Sequence, residues 1–399
     1  MTGSRFNLLD FKSRNMHMLH YSWFAFFMTF VVWLGLGPMM PFIKEALALT
    51  DQQAKALLIL NVAMTIPARI IVGMLVDKYG PRIMYTAVLI SGGLVSIAFA
   101  WAQTYEQLAL LRFLSGFIGA GFVVGIRLIA EWFPAKQAGV AQGIYGGWGN
   151  FGSFGAAVTL PFIASSIEGP DGWRVALTVA SVAAIIYGVI YYTRVSNTPK
   201  GSTYFKPKKT GAMEVTTSGD ILLYILMNIP LYFALAITTW QLSPSGLNLL
   251  NQTTTLSIYA ILIIVYLVQA WRIWQINSHL LKKPLPLFQR YKFKQVAILD
   301  AAYLVTFGTE LAVVSMLAMF YVSWFDLPKI TAALLAGIYP FLNLFARPAG
   351  GWISDRIGRR RTLLIVLTGI TVCFLALGGV TKEWSVLMVV ALTIIAGVF

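Results

Sequence analysis

Cysteine occurs once, at Cys373 inside an apolar stretch, so neither a disulfide framework nor a thiolate metal site is available. Histidine occurs three times, at His17, His20 and His279, with no metal-ligand spacing, and no metal or cofactor is expected. Charge is scarce at 11% of residues, and acid is scarcest, 15 Asp and Glu against 30 Lys and Arg. A soluble domain carries about a quarter charged residues. With 58% hydrophobic residues and a mean hydropathy of +0.74 over 399 residues, the chain reads instead as an all-α integral membrane protein. The net charge of +15 does not indicate a nucleic-acid partner, because the basic residues fall in short connecting turns where membrane orientation explains them. No nucleophile, base or metal cluster is visible, so an enzyme is not expected. The opening basic run (Arg5, Lys12, Arg14) lacks the short apolar core and small-residue cleavage site of a secretory signal.

What is present is a stretch that occurs twice. Arg69, Gly73, Asp77, Lys78, Gly80 and Arg82 return as Arg347, Gly351, Asp355, Arg356, Gly358 and Arg360. Residues four apart share a helix face, so arginine, glycine and aspartate form one stripe in each copy. Eight residues at about 1.5 Å each put the arginine roughly 12 Å inward from the aspartate. If the charged turn marks the edge of a slab about 30 Å thick, both arginines lie near its middle, where a guanidinium is expensive and points to function.

Apolar segments follow one another at about 22–43, 56–76, 84–101, 108–133, 139–163 and 175–193. The turns at 77–82 and 134–136 are basic and those at 50–53 and 168–171 are acidic or neutral, which predicts a cytoplasmic N-terminus. This gives an N-terminal six-helix region over 1–195. A polar, basic cytoplasmic linker is expected at 196–219, with Lys200, Lys206, Lys208 and Lys209, then two further apolar segments within 220–277. A second basic cytoplasmic linker covers 278–294, and 295–399 holds segments at about 296–324, 330–353, 363–380 and from Val386 onward. The chain stops inside an apolar run, so the second half is expected to be incomplete and to continue in the natural protein.

The duplicated turns resemble the signature of the major facilitator superfamily, and Arg112, Phe113, Gly116, Gly119 and Gly121 resemble a second signature of it. The run Gly143, Ile144, Tyr145, Gly146, Gly147, Trp148, Gly149, Asn150, Phe151, Gly152, Ser153 resembles the glycine-rich signature of its nitrate/nitrite porter family, nearest the cyanobacterial-type and plant-type permeases. The resemblance covers nearly the whole chain. It implies two six-helix halves with alternating access, a plasma (inner) membrane location, and nitrate, with nitrite a second candidate, as substrate in nitrate assimilation. It also leans towards proton symport.

By motif position the resemblance implies that Arg69 and Arg347, one from each half, clamp the anion, with Asn150, Phe122, Tyr303, Phe307, Gly146 and Gly149 around it. A planar guanidinium with a rigid fork of donors suits an oxyanion. Each residue also has a plainer reading. The arginines could instead pair structurally with a carboxylate. The glycines are first a close-packing device, with contact to the anion as an addition, and the three aromatics are equally core or site. Gly73, Asp77, Arg82, Gly351, Asp355 and Arg356 read as gating or structural elements rather than ligands. Glu310, three residues after Phe307, reads as the neutraliser of an arginine, with proton carriage as the alternative. Arg127 and Glu131, four apart, read as a structural pair. The expected partners are the anion and membrane lipid, with the chain a monomer. The competing functions are a facilitator for another small or organic anion, and a nitrate receptor without transport.

Overall fold

The computed structural model describes residues 8, 10, 12–204, 213–215, 217–282 and 292–399, without the side chains of residues 135, 136, 279, 280, 282 and 355. Arg5, Lys206, Lys208, Lys209, most of the second basic linker, and the side chains of His279 and Asp355 therefore lie outside the described residues.

Every regular element among the described residues is helical. The chain forms α1 (Arg14–Leu34), α2 (Leu36–Ala46), α3 (Asp51–Tyr79), α4 (Pro81–Ala100), α5 (Tyr105–Ser115), a 3-10 turn (Gly116–Ala120) and α6 (Gly121–Trp132). It continues through α7 (Ala135–Ser165), α8 (Gly172–Arg194), α9 (Ser218–Met227), α10 (Ile229–Leu242), α11 (Gln252–Lys282), α12 (Phe293–Phe325), α13 (Lys329–Ile357), α14 (Arg359–Gly378) and α15 (Val386–Val398). Ten helical stretches among the described residues are long and apolar enough to cross a membrane. Many of their outward side chains are large and apolar, such as Leu94, Leu110, Leu304 and Leu375.

The first helix begins at Arg14, eight residues before the expected start at Ser22. Met16, Met18 and Leu19 bury themselves in this early part, which gives the polar run an apolar face. Trp23 Nε1 donates to His20 Nδ1 at 3.0 Å, which leaves His20 Nε2 to donate to the Leu8 carbonyl at 3.1 Å. His17 and His20 are thus helical residues of α1, His17 in its first turn.

The sequence duplication is also a backbone duplication. Helices α3 and α13 are both 29 residues long, and each runs through a glycine into a 20-residue helix. The hinge glycines Gly80 and Gly358 have φ of 87° and 92°, a region that glycine enters without penalty. Arg69 and Arg347 are each the nineteenth residue of their helix.

Two compact units divide the chain, one of residues 1–206 with 310–399 and the other of residues 207–309. In the first, α7 packs against α1 and α13, and α4 packs against α8. Glycines on α7 set its approaches to α1 and α13. A methyl on Gly152 would meet the Phe27 carbonyl at 2.2 Å, and one on Gly147 would meet the Asn343 carbonyl at 3.0 Å. In the second unit, Val215, Ile221, Ile273, Phe293 and Ala297 form a small buried cluster. Helices α9 and α10 break at Asn228, ahead of Pro230. There the Asn228 side chain donates to the Tyr224 carbonyl at 2.7 Å and accepts from Gln269 of α11 at 2.8 Å.

Candidate functional site

Arg69 is placed by the break between α5 and α6. Gly116 and Gly119 let the 3-10 turn lie against α3, since a methyl on Gly116 would fall 2.0 Å from the Asn61 carbonyl and one on Gly119 2.7 Å from Thr65 and Trp33. Thr65 fixes the contact by donating to the Gly116 carbonyl at 2.7 Å. One turn further along α3, Arg69 Nε donates to the Gly119 carbonyl at 3.3 Å, and its guanidinium lies 5.5 Å from the centre of the Phe122 ring. The second superfamily-like signature therefore holds the first arginine in place. Its own arginine does something else. Arg112, 3% exposed, donates to the carbonyls of Leu57 and Trp33 at 3.1 Å each and to Ser115 Oγ at 3.3 Å.

Phe122 belongs to an aromatic cluster with Phe26 and Tyr145. Phe26 stacks on Tyr145 at 5.0 Å and lies 5.4 Å from Phe122, and Phe122 stacks on Tyr145 at 6.1 Å. The Tyr145 hydroxyl donates to the carbonyls of Gly121 and Phe122, at 3.1 and 3.2 Å, and meets the Tyr85 hydroxyl at 2.8 Å. The residue after Tyr145 is Gly146, whose missing methyl would sit 3.6 Å from Arg347 Nη1. A continuous run of contacts thus leads from Arg69 through Phe122 and Tyr145 to Gly146 and Arg347.

Arg347 Nη2 donates to Glu310 Oε2 at 2.7 Å, with the two side chains 29% and 13% exposed. The other oxygen, Glu310 Oε1, accepts from Asn150 Nδ2 at 2.7 Å and from Asn343 Nδ2 at 2.6 Å. Asn150 is 1% exposed. One carboxylate thereby joins α7, α12 and α13. Asn343 stands outside the sequence signatures, although it lies four residues before Arg347 and so shares its helix face. Gly149 does not face Arg347. A methyl there would fall 1.7 Å from the Phe26 ring, so its part is to admit that ring against α7.

Tyr303 and Phe307 fall in the unit of residues 207–309, where their rings stack at 5.2 Å and 7°. Phe307 is buried and Tyr303 is 41% exposed. Asp77 and Glu131 both pair with Arg127, at 3.4 and 3.0 Å. Arg127 in turn lies 5.2 Å from the centre of the Tyr204 ring, and the Tyr204 hydroxyl donates to the Val76 carbonyl at 2.8 Å. Burial pushes the Tyr204 phenol above its ordinary value, which keeps that hydroxyl a donor. Arg82 turns away from Asp77. Its Nε donates to the Tyr192 carbonyl at 2.7 Å while the guanidinium stacks on the Tyr192 ring. Arg356 stacks likewise on Trp352, at 3.8 Å. A methyl on Gly73 or Gly351 would meet nothing within 4 Å. Among the described residues no group of three or more His, Cys, Asp or Glu is arranged to hold a metal.

Duplicated helices, an arginine at the same position in each copy, and glycine contacts that bring α7 and the 3-10 turn against them mark a membrane transporter built from repeats. The chain belongs to the major facilitator superfamily, whose profile, described as Major Facilitator Superfamily, matches residues 22–399, and within it to the nitrate/nitrite porter family. It is 43% identical to the nitrate/nitrite transporter NrtP of Nostoc punctiforme, over 98% of this chain and 80% of that protein. It is 42% identical to the nitrate/nitrite transporter NrtP of a Picosynechococcus species, over 96% of this chain and 76% of that one. The fold is also that of the xylose transporter XylE from E. coli in a partially occluded inward-open conformation. That match has a TM-score of 0.60 and 15% identity, and covers 97% of this chain and 84% of the other. The protein is an integral, multi-pass membrane protein and not an enzyme.

Proposed function

We propose that the protein imports nitrate, and also nitrite, across the plasma membrane by alternating access, with the anion held between Arg69 and Arg347. The observation that carries this reading is the pair of guanidiniums at one position of a repeated helix. One lies over an aromatic ring, and the other lies against the glycine face of α7. The names of relatives sharing more than two-fifths of its residues support the choice of anion. Nitrate is flat, singly charged and weakly hydrated. Aromatic walls with a few strong donors replace its water at small cost, and a bidentate guanidinium matches its edge. Phosphate and sulfate lose more hydration on entering such a site. Gly146 lies beside Arg347, Phe122 lies beside Arg69, and Asn150 is tied to Arg347 through Glu310, which supports a site between the two arginines.

The remaining parts of the reading follow the charge pattern and the family. The N-terminus is cytoplasmic, the chain works as a monomer in lipid, and import is coupled to protons. The Arg127 cluster with Asp77, Glu131 and Tyr204 lies at the end of α3 where the basic turn begins, and it acts as a gate contact. The test is uptake into proteoliposomes holding the purified protein, with nitrite, chlorate and lactate as competitors. Nitrate accumulation blocked by nitrite and chlorate but not by lactate is expected. Binding without flux, or block by lactate alone, would contradict it.

A further inference from the structure

Glu310 holds a position that the proposed anion needs. Its Oε2 fills one arm of the Arg347 fork at 2.7 Å, and its Oε1 is held by the amides of Asn150 and Asn343. A carboxylate and nitrate have the same charge and nearly the same planar pair of oxygens. In this arrangement Glu310 is a tethered stand-in for the anion. Among the described residues, Arg347 and Tyr339 of α13 are titratable groups that face it, and the neutral Asn150 meets it from α7.

We infer that Glu310 is the proton acceptor that couples anion binding to proton uptake, by exchanging Arg347 for a proton each time the anion arrives. The inference rests on the transport reading above. When the anion takes the Arg347 fork, a carboxylate that remained ionised would keep only two neutral amide donors beside a second negative charge. Neutral donors hold it less strongly than the guanidinium did, and the nearby like charge favours its protonated form. One proton from solution then bonds to a Glu310 oxygen as its contact with Arg347 breaks, and no electrons move. Two guanidiniums with one carboxylate carry a single positive charge when the site is empty. Two guanidiniums with a neutral carboxyl and one monovalent anion carry the same. The protein therefore presents one site charge in both the empty and the loaded state, as reorientation through a low-dielectric slab favours. Release runs in reverse: the anion leaves Arg347, the proton leaves Glu310, and the ion pair closes again.

The test is calorimetric titration of the purified full chain with sodium nitrate, in two buffers of different ionisation enthalpy and over a pH series. The wild type is expected to take up close to one proton per nitrate, with apparent affinity falling about tenfold per pH unit above the carboxyl's apparent pKa. Glu310→Gln is expected to bind nitrate with no proton uptake and a flat pH profile, whereas Glu310→Asp keeps the slope. Nitrate binding by the wild type without proton uptake would overturn the inference and leave the transport reading standing. Retention of the wild-type pH slope in Glu310→Gln would also overturn it. No nitrate binding by a monodisperse wild type would instead overturn the transport reading itself. If Glu310→Gln does not fold, the two-buffer measurement on the wild type still decides.

Discussion

Two glycines three residues apart on α7 are expected to respond oppositely to a single methyl. At Gly149 an added Cβ would lie 1.7, 2.4 and 2.7 Å from three atoms of Phe26. That ring cannot yield, because Phe26 is 1% exposed and wedged against Phe30, Phe122 and Tyr145. Relief would require α1 to move off α7. Overpacking of this kind costs about 1–3 kcal/mol, and up to two powers of ten in the folding equilibrium. At Gly146 the nearest atom is Arg347 Nη1 at 3.6 Å, an ordinary contact with the end of a long side chain. Gly146→Ala is therefore expected to stay within about 0.5 kcal/mol of the wild type while weakening nitrate binding, because the methyl stands beside the Arg347 fork. Thermal unfolding of the detergent-solubilised variants, read beside nitrate titration of each, separates the two. A Gly149→Ala protein as stable as the wild type, or a Gly146→Ala protein that loses stability and keeps its affinity, would refute the reasoning.

Three further outcomes follow from the geometry. Arg112→Lys keeps the charge but cannot reach Leu57, Trp33 and Ser115 together. A hydrogen bond from a charged donor is worth about 1.5–3 kcal/mol, so losing part of this set should make the variant unfold at a lower temperature than the wild type. Arg127→Ala leaves Asp77 and Glu131 without their shared cation; hydrogen bonds to charged groups are worth about 1.5–3 kcal/mol, and partial exposure of these side chains places the loss near the lower end. It should raise protease sensitivity at the end of α3. Tyr204→Phe removes one hydrogen bond to the Val76 carbonyl and keeps the ring under Arg127. A loss of about 0.5–1.5 kcal/mol, read from the same unfolding assay, is expected.

Much of the architecture is legible in the residues, because hydropathy and internal repetition are both strong signals. The arginines of the repeated stretch occupy the same position in helices of equal length, as their spacing implies. The apolar segments also correspond to helical stretches, the fourth interrupted by a 3-10 turn and the seventh broken at Asn228, while the first begins eight residues early. Its start hides behind a polar run whose apolar face is made by methionines and by a His20–Trp23 contact. The site is less legible, because a sequence shows which residues share one helix face but not which faces meet. Asn343 shares a face with Arg347, yet its use depends on Glu310 arriving from α12. Gly149 sits in the same signature as Gly146 and meets Phe26 instead, since it stands about 60° round the helix from Gly146 and nearly one turn further along it. Asp77 and Arg82 belong to one short turn but part company, because α4 carries Arg82 toward the end of α8 and α6 brings Arg127 to Asp77.

The whole account turns on what Arg69 and Arg347 hold. Measuring nitrate uptake by Arg69→Lys and Arg347→Lys in proteoliposomes, with protein folding checked in parallel, tests this most directly, since each change keeps the positive charge and discards the planar fork. The account predicts folded proteins whose uptake falls to background. Uptake near the wild-type rate by either one would contradict it.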